Sequence, residues 1–173
     1  MGRDKATMTF RGQPLWQRQI EVLRDLMPTK IFVSARTEPP WPPGDVELLL
    51  DDPPSRGPLS GLTKALAQMQ TSHLVVLAVD MPFMTATQLR VLCSRTTNGC
   101  GVVPEIGDRA EPLAAIYPKE SAPDFAATLA GPDSSLQALV RKLAAVGKIR
   151  MFPVRETGEH LYRSVNTPSE FNA

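Results

Sequence analysis

Short apolar runs alternate along the chain with stretches in which apolar residues recur every three or four positions. The runs predict buried strands, and the recurring pattern predicts amphipathic helices. The predicted strands are 30–35, 46–50, 74–79, 101–104, 113–117 and 148–154, and the predicted helices are 14–27, 58–70, one capped by Thr85 and 135–145. This alternation predicts an α/β fold with a doubly wound, mostly parallel sheet and helices on both faces.

The run 74–79, with sequence LVVLAV, is the strongest strand signal because both its odd and its even positions are apolar. Such runs are typical of the middle of a parallel sheet covered by helices. Ligands of doubly wound folds bind outside the carboxyl ends of the strands, so residues that follow a strand are candidates for a site. The chain has 173 residues, which suffices for one domain and falls short of two. We therefore treat 1–173 as a single domain.

Carboxylates follow two of the predicted strands. Asp80 comes directly after the strongest strand, where it can bind a hard cation such as Mg²⁺ together with substrate phosphates. An aspartate before Met81-Pro82 is equally typical of an ordinary turn without a ligand. Asp51 and Asp52 follow the strand 46–50, and either one can accept a hydrogen bond from a purine edge or a ribose.

Two further groups suit a nucleotide, although each is weak alone. Gly57 precedes a predicted helix, where glycine permits close approach of the backbone to a base or a phosphate. Arg3 and Lys5 lie beside Gly2 and place two cations near the start of the chain, which suits phosphate oxygens. Near the other end, the amide of Asn166 can both donate and accept hydrogen bonds.

Composition and charge exclude several classes of partner. Nineteen basic and eighteen acidic side chains leave a net charge of +1, so we expect no binding to nucleic acid or to an anionic membrane. The longest apolar run is far too short to span a bilayer. The residues at the start form no signal peptide, and two cysteines form no disulfide framework. We therefore predict a cytoplasmic protein.

Taken in order, the motifs resemble those of the molybdenum cofactor guanylyltransferase family. The matching segments are 1–6 (MGRDKA), 12–15 (GQPL), 57–61 (GPLSG), 80–83 (DMPF), 111–113 (EPL) with Tyr117, and 165–168 (VNTP). Their order and spacing cover almost the whole chain and are far more specific than any one segment. The resemblance implies a Rossmann-like nucleotidyltransferase fold. It also implies a reaction in which the molybdopterin phosphate attacks GTP, accepts GMP and releases pyrophosphate.

The resemblance also implies a role for each candidate residue. Lys5 and Asp80 would each be catalytic residues: Lys5, with Arg3, would hold the nucleotide phosphates, and Asp80 would bind Mg²⁺. Asp52 would face the guanine. The other implied contacts are Ser34 and Gly57 for the nucleotide, and Gly2 and Asn166 for molybdopterin. Besides GTP and molybdopterin, the implied partners include transiently bound proteins that insert or accept the molybdenum cofactor.

Two other functions remain open on the sequence. One is a nucleotidyltransferase that uses CTP on molybdopterin or acts on a sugar phosphate, although Gly57-Pro58-Leu59 and Asn166 favour guanine. The other is a nucleotide-binding module without catalysis, because the family's glycine-rich loop has no counterpart here. In the second case Mg²⁺ and GTP would yield no pyrophosphate.

The family's first strand and its Leu-Ala-Gly-Gly loop have no counterpart ahead of Met1, so we expect an N-terminally incomplete domain. We predict that the natural protein begins about 15 to 20 residues earlier, enough for one strand and its turn. We expect the added residues to be an apolar run, a pair of glycines and a basic residue that cradle the phosphates.

Joining such a segment to this chain is expected to raise the melting temperature and the affinity for GTP, because strand edges gain backbone hydrogen bonds. Calorimetry of unfolding and of GTP binding tests this, with a glycine- and serine-rich segment of equal length as the control. A 173-residue chain that is already monomeric, cooperative in unfolding and fully active would contradict the expectation.

Overall fold

The computed structural model describes residues 5–41 and 44–165. Gly2, Arg3 and Asn166, together with the predicted helix start at 167–170, lie outside these ranges. In chain order the described strands are β1 (Thr9–Phe10), β2 (Gln13–Pro14), β3 (Phe32–Ala35), β4 (Glu47–Leu50), β5 (His73–Val75), β6 (Gly101–Ile106), β7 (Arg109–Ala110), β8 (Ile116–Pro118) and β9 (Ile149–Pro153). The described helices are α1 (Leu15–Arg24), α2 (Pro58–Gln68), α3 (Ala86–Cys93), α4 (Ala122–Ala130), α5 (Leu136–Ala145) and α6 (Glu156–Glu159).

The α/β class predicted from the sequence is confirmed, and the strands pair in a mixed pattern. β3 and β4 form a parallel pair. The larger sheet has the order β5-β8-β6-β7, and β9 also pairs with β6. Pairing is parallel between β6 and β9 and antiparallel for β5 with β8, β6 with β8 and β6 with β7.

The run 74–79 differs from the prediction of a central parallel strand. Only His73–Val75 is regular strand, and it pairs antiparallel with β8. Beyond it, the amides of Val76 and Ala78 still donate to the carbonyls of Ala115 and Leu113, at 2.8 and 2.7 Å. A continuous apolar run indicates that both faces of a strand are covered. It does not indicate whether the neighbouring strand runs parallel or antiparallel.

Helices cover both faces of the larger sheet, as predicted. In β6, Val102 and Val103 are both buried and belong to opposite cores, and Ile116 and Tyr117 of β8 do the same. This follows from the alternation of side chains along a strand. The core containing Val103 and Tyr117 is closed mainly by α2, α4 and α5. The other core is closed by α3, the partly buried face of α1 and the buried Met81, Met84 and Tyr162.

Three details of the helices depart from the sequence patterns. The predicted helix 14–27 is shorter in the structure: α1 ends at Arg24, and Met27, the last residue of the predicted apolar stripe, lies beyond it at a positive φ and is 89% exposed. The predicted Thr85 cap of α3 is confirmed, since Thr85 accepts from the Gln88 amide at 3.2 Å. The spacing of Thr85 and Gln88 also predicts a return bond from the Gln88 side chain to the cap, but that side chain donates to the Tyr162 hydroxyl. Helix α4 was not predicted, since its early proline, Pro123, also suits a loop.

A charge cluster joins the last elements of the fold. Asp124 of α4 contacts Lys142 of α5 at 3.3 Å and Lys148, just before β9, at 2.6 Å. Burial alone would raise the pKa of Asp124, but hydrogen bonds from these two lysines lower it below its usual value. No helix in the described part of the chain is both long and apolar enough to cross a membrane.

Candidate functional site

A groove of about 1130 Å³ opens along β3, β5 and the segment that follows β5. Its walls include five residues that sequence reasoning considered, namely Lys5, Ser34, Asp51, Gly57 and Asp80. These residues come from five separate parts of the chain, so the fold gathers them into one cavity. Trp16 and Trp41 also line the groove, where their rings stack with centroids 4.4 Å apart.

Lys5 and Asp80 form an ion pair in this groove. Lys5 Nζ donates to Asp80 Oδ2 at 3.0 Å, and the two side chains are 43% and 21% exposed. Sequence reasoning treated the lysine and the carboxylate separately, one for phosphate and one for metal, and the structure brings them into contact. Pairs this accessible contribute about 0–1 kcal/mol, so an incoming ligand can compete for either partner.

The loop that carries Asp80 is fixed at three points. The carbonyl of Asp80 itself accepts from the Val165 amide at 2.8 Å. From α1, Gln19 Nε2 donates to the Met81 carbonyl at 2.8 Å and Arg18 Nε donates to the Pro82 carbonyl at 2.6 Å. Sequence reasoning missed Arg18 and Gln19, and the only available signal was two polar residues next to the buried Ile20 in a predicted helix.

The start of α2 lies close to β3 on another wall of the groove. A side chain at Gly61 would place its Cβ only 1.9 Å from Ser34 Oγ, so a larger residue would displace that hydroxyl. Gly57, at the N-cap of α2, has φ of +65°, a conformation that disfavours other residues. Glycine at both positions therefore brings the helix N-terminus and the Ser34 hydroxyl together at the groove, and such a terminus favours anions and acceptor groups.

Of the two aspartates after β4, Asp51 lines the groove and Asp52 does not. Asp51 Oδ2 accepts from Ser55 Oγ at 2.6 Å, while Oδ1 is buried and has no hydrogen-bond partner within the described residues. Asp52 is 87% exposed and pairs with Lys64 at 3.1 Å outside the groove. Consecutive residues in extended chain point to opposite sides. The predicted guanine contact of Asp52 thus fits this geometry poorly, and Asp51 is better placed for it.

The residues in the groove fit a divalent cation held jointly with a nucleotide. Within 5–41 and 44–165, no group of three or more histidine, cysteine, aspartate or glutamate side chains is arranged to hold a metal. Mg²⁺ commonly binds through one or two carboxylates together with substrate phosphates. Asp80, partly exposed in the groove, is one carboxylate with the chemistry and access that such binding requires.

The fold is that of nucleotidyltransferases. A structure of molybdopterin-guanine dinucleotide biosynthesis protein A from Archaeoglobus fulgidus superimposes with a TM-score of 0.74 at 20% identity, covering 99% of this chain and 88% of that one. A 2-C-methyl-D-erythritol 4-phosphate cytidylyltransferase from Thermus thermophilus gives a TM-score of 0.68 at 15% identity, with 97% and 90% covered.

Sequence comparison defines the family more closely. A family model described as "MobA-like NTP transferase domain" matches residues 1–146, and the chain belongs to this family. It is 34% identical to a protein of Opitutus terrae named "Probable molybdenum cofactor guanylyltransferase", over 98% of this chain and 86% of that protein. The resemblance stated from the motifs is therefore confirmed.

The two neighbouring aspartates give a matched pair of variants. We expect Asp51→Asn to weaken GTP binding roughly tenfold, because a hydrogen bond to a buried carboxylate contributes about 1.5 kcal/mol or more. Asp52→Asn is expected to change the dissociation constant less than about twofold, since exposed ion pairs contribute little. Titration calorimetry with GTP measures both. A larger loss for Asp52→Asn would restore the original assignment.

Proposed function

We propose that this chain transfers GMP from GTP to molybdopterin, with Mg²⁺ as cofactor and pyrophosphate as the second product. The observation that carries the proposal is the Lys5–Asp80 pair, 3.0 Å apart in a groove large enough for a nucleotide. The identity to the Opitutus terrae protein along nearly the whole chain supports the choice of substrates.

Lys5 and Asp80 have different roles in the proposed reaction. The Lys5 ammonium binds nucleotide phosphate oxygens, for which three N–H donors on a flexible stem are suited. The Asp80 carboxylate would hold the metal, and Mg²⁺ bound there would neutralise charge that develops on the phosphates. The protein's part is to position the reactants and stabilise charge, since neither residue needs to form a covalent intermediate.

Other residues that line the groove are suited to the nucleoside. Asp51 Oδ1, which receives no hydrogen bond from any described residue, can accept from the N–H groups of a guanine edge, and Ser34 and Gly57 line the same space. Molybdopterin is assigned to Gly2 and Asn166, as the resemblance implies, and Arg3 to the phosphates. Val165, the last described residue, donates its amide to the Asp80 carbonyl.

The fold alone does not select the base, because a cytidylyltransferase from Thermus thermophilus shares it. Guanine is favoured by the segment 57–61. The proposal also includes a single nucleotidyltransferase domain over 1–173, a cytoplasmic location and transient contact with proteins that insert or accept the cofactor. These elements rest on the sequence and on the resemblance.

Nucleotide preference tests the function directly. With molybdopterin and Mg²⁺, we expect pyrophosphate release from GTP at least about tenfold faster than from CTP or ATP, because one well-placed hydrogen-bond set discriminates by more than 1.4 kcal/mol. GTP with Mg²⁺ is also expected to give the largest increase in melting temperature. Omitting molybdopterin is the control. Faster release from CTP would contradict guanylyl transfer, and tight GTP binding without any release would indicate a binding module.

Replacing the metal-binding carboxylate separates catalysis from folding. Asp80→Asn is expected to lower the rate of transfer by about 100-fold or more, since charge stabilisation at a metal is worth several kcal/mol. Its melting temperature is expected to change little, because the ion pair it removes is partly exposed. The matched control is Asp108→Asn in the exposed turn between β6 and β7. Retained activity, or an unfolded variant, would overturn the metal assignment.

A further inference from the structure

We propose that Gln19 is a positioning residue whose buried amide holds the Asp80 loop in place. Here the Asp80 loop denotes residues 80–84. The inference rests on the proposed function in one respect, namely that Asp80 is the metal ligand. That Gln19 restrains the loop is a separate claim, which follows from the contacts of α1.

Adjacent residues of α1 donate to adjacent carbonyls of the Asp80 loop. Gln19 Nε2 reaches the Met81 carbonyl at 2.8 Å, and Arg18 Nε reaches the Pro82 carbonyl at 2.6 Å. The loop's own backbone bonds are longer, at 3.4 Å from the Met81 amide to Ala78 and 3.2 Å from the Met84 amide to Met81. The short bonds from α1 are therefore the stronger restraints on the residues that follow Asp80.

The burial of Gln19 indicates that its amide contributes little to the stability of the core. The residue is 5% exposed, and its Oε1 is buried without a hydrogen-bond partner in the described chain. A buried acceptor left without a partner costs free energy, whereas an apolar side chain of the same shape would not. An amide with only one of its polar ends hydrogen-bonded to a described residue therefore stabilises the core little. What it does provide is the bond to Met81, one residue from Asp80.

Arg18 is a less specific restraint than Gln19. Its guanidinium lies 5.3 Å from the centre of the Phe10 ring, and Phe10 in turn packs edge-on against Phe83 at 5.3 Å. A substitution at Arg18 would disturb this packing as well as the hydrogen bond. Gln19 is the cleaner position for an experiment, because its polar contact with the loop can be removed while its volume is conserved.

The test compares Gln19→Met, Gln19→Glu and the matched control Gln17→Met. Methionine keeps the volume and removes the hydrogen bond, and glutamate keeps the shape while it places an oxygen opposite the Met81 carbonyl. Gln17 lies on the same helix, and its side chain donates to Glu21 at an exposed position. Hydrogen exchange of residues 78–84 measures the loop, Mn²⁺ titration with GTP measures the metal site, and melting temperature measures the fold.

We expect Gln19→Met to melt at or above the temperature of the unsubstituted protein, with loop exchange about tenfold faster and Mn²⁺ affinity about tenfold weaker. We expect a lower kcat and an unchanged KM for molybdopterin. Gln19→Glu is expected to share these losses, and Gln17→Met to show none. Unchanged loop exchange in both Gln19 variants would overturn the inference. If the unsubstituted protein binds no Mn²⁺ with GTP, the proposed function fails, and loop exchange still decides the role of Gln19.

Discussion

Burial of β6 and β8 on both faces is the constraint on which the rest of this structure depends. Val102 and Val103 occupy opposite cores, so each face of the sheet requires its own layer of helices. The backbone bonds from Val76 and Ala78 to the segment before β8 continue this sheet almost to Asp80. Asp80 is thereby placed at the rim of this sheet, where its partly exposed carboxylate can contact a ligand.

Much of the fold was predictable because burial leaves a direct trace in the sequence. The residues Leu59, Leu62 and Leu66 recur at helical spacing and are buried in α2, as predicted. Strand direction leaves no such trace, which is why the apolar run 74–79 suggested a central parallel strand and the structure has β5 antiparallel to β8. Helix α4 escaped prediction for a related reason, since a proline in the first turn of a helix looks the same as a proline in a loop.

The candidate site was predictable only in part, because its members meet through the tertiary fold. Asp80 could be chosen as a candidate from the sequence, because ligands of such folds bind at the carboxyl ends of strands. Asp80 contacts Lys5, which is 75 residues away in the sequence, and no local sequence pattern indicates that these two residues meet. Whether Asp51 or Asp52 lines the groove depends on the side to which each side chain points after β4, and the sequence does not show this. Gln19 was hidden for the opposite reason, since a polar residue within an amphipathic helix is normally expected to face solvent.

The stacked indoles of Trp16 and Trp41 give this protein an optical property of practical use. The sequence contains two tryptophans, and both line the groove with their ring planes only 3° apart. All tryptophan emission of the chain therefore originates from one wall of the cavity. A planar base that enters the groove and approaches this pair would alter its emission and its coupled near-ultraviolet circular dichroism. Occupancy of the groove can thus be followed without a label, in the same sample that is used for turnover.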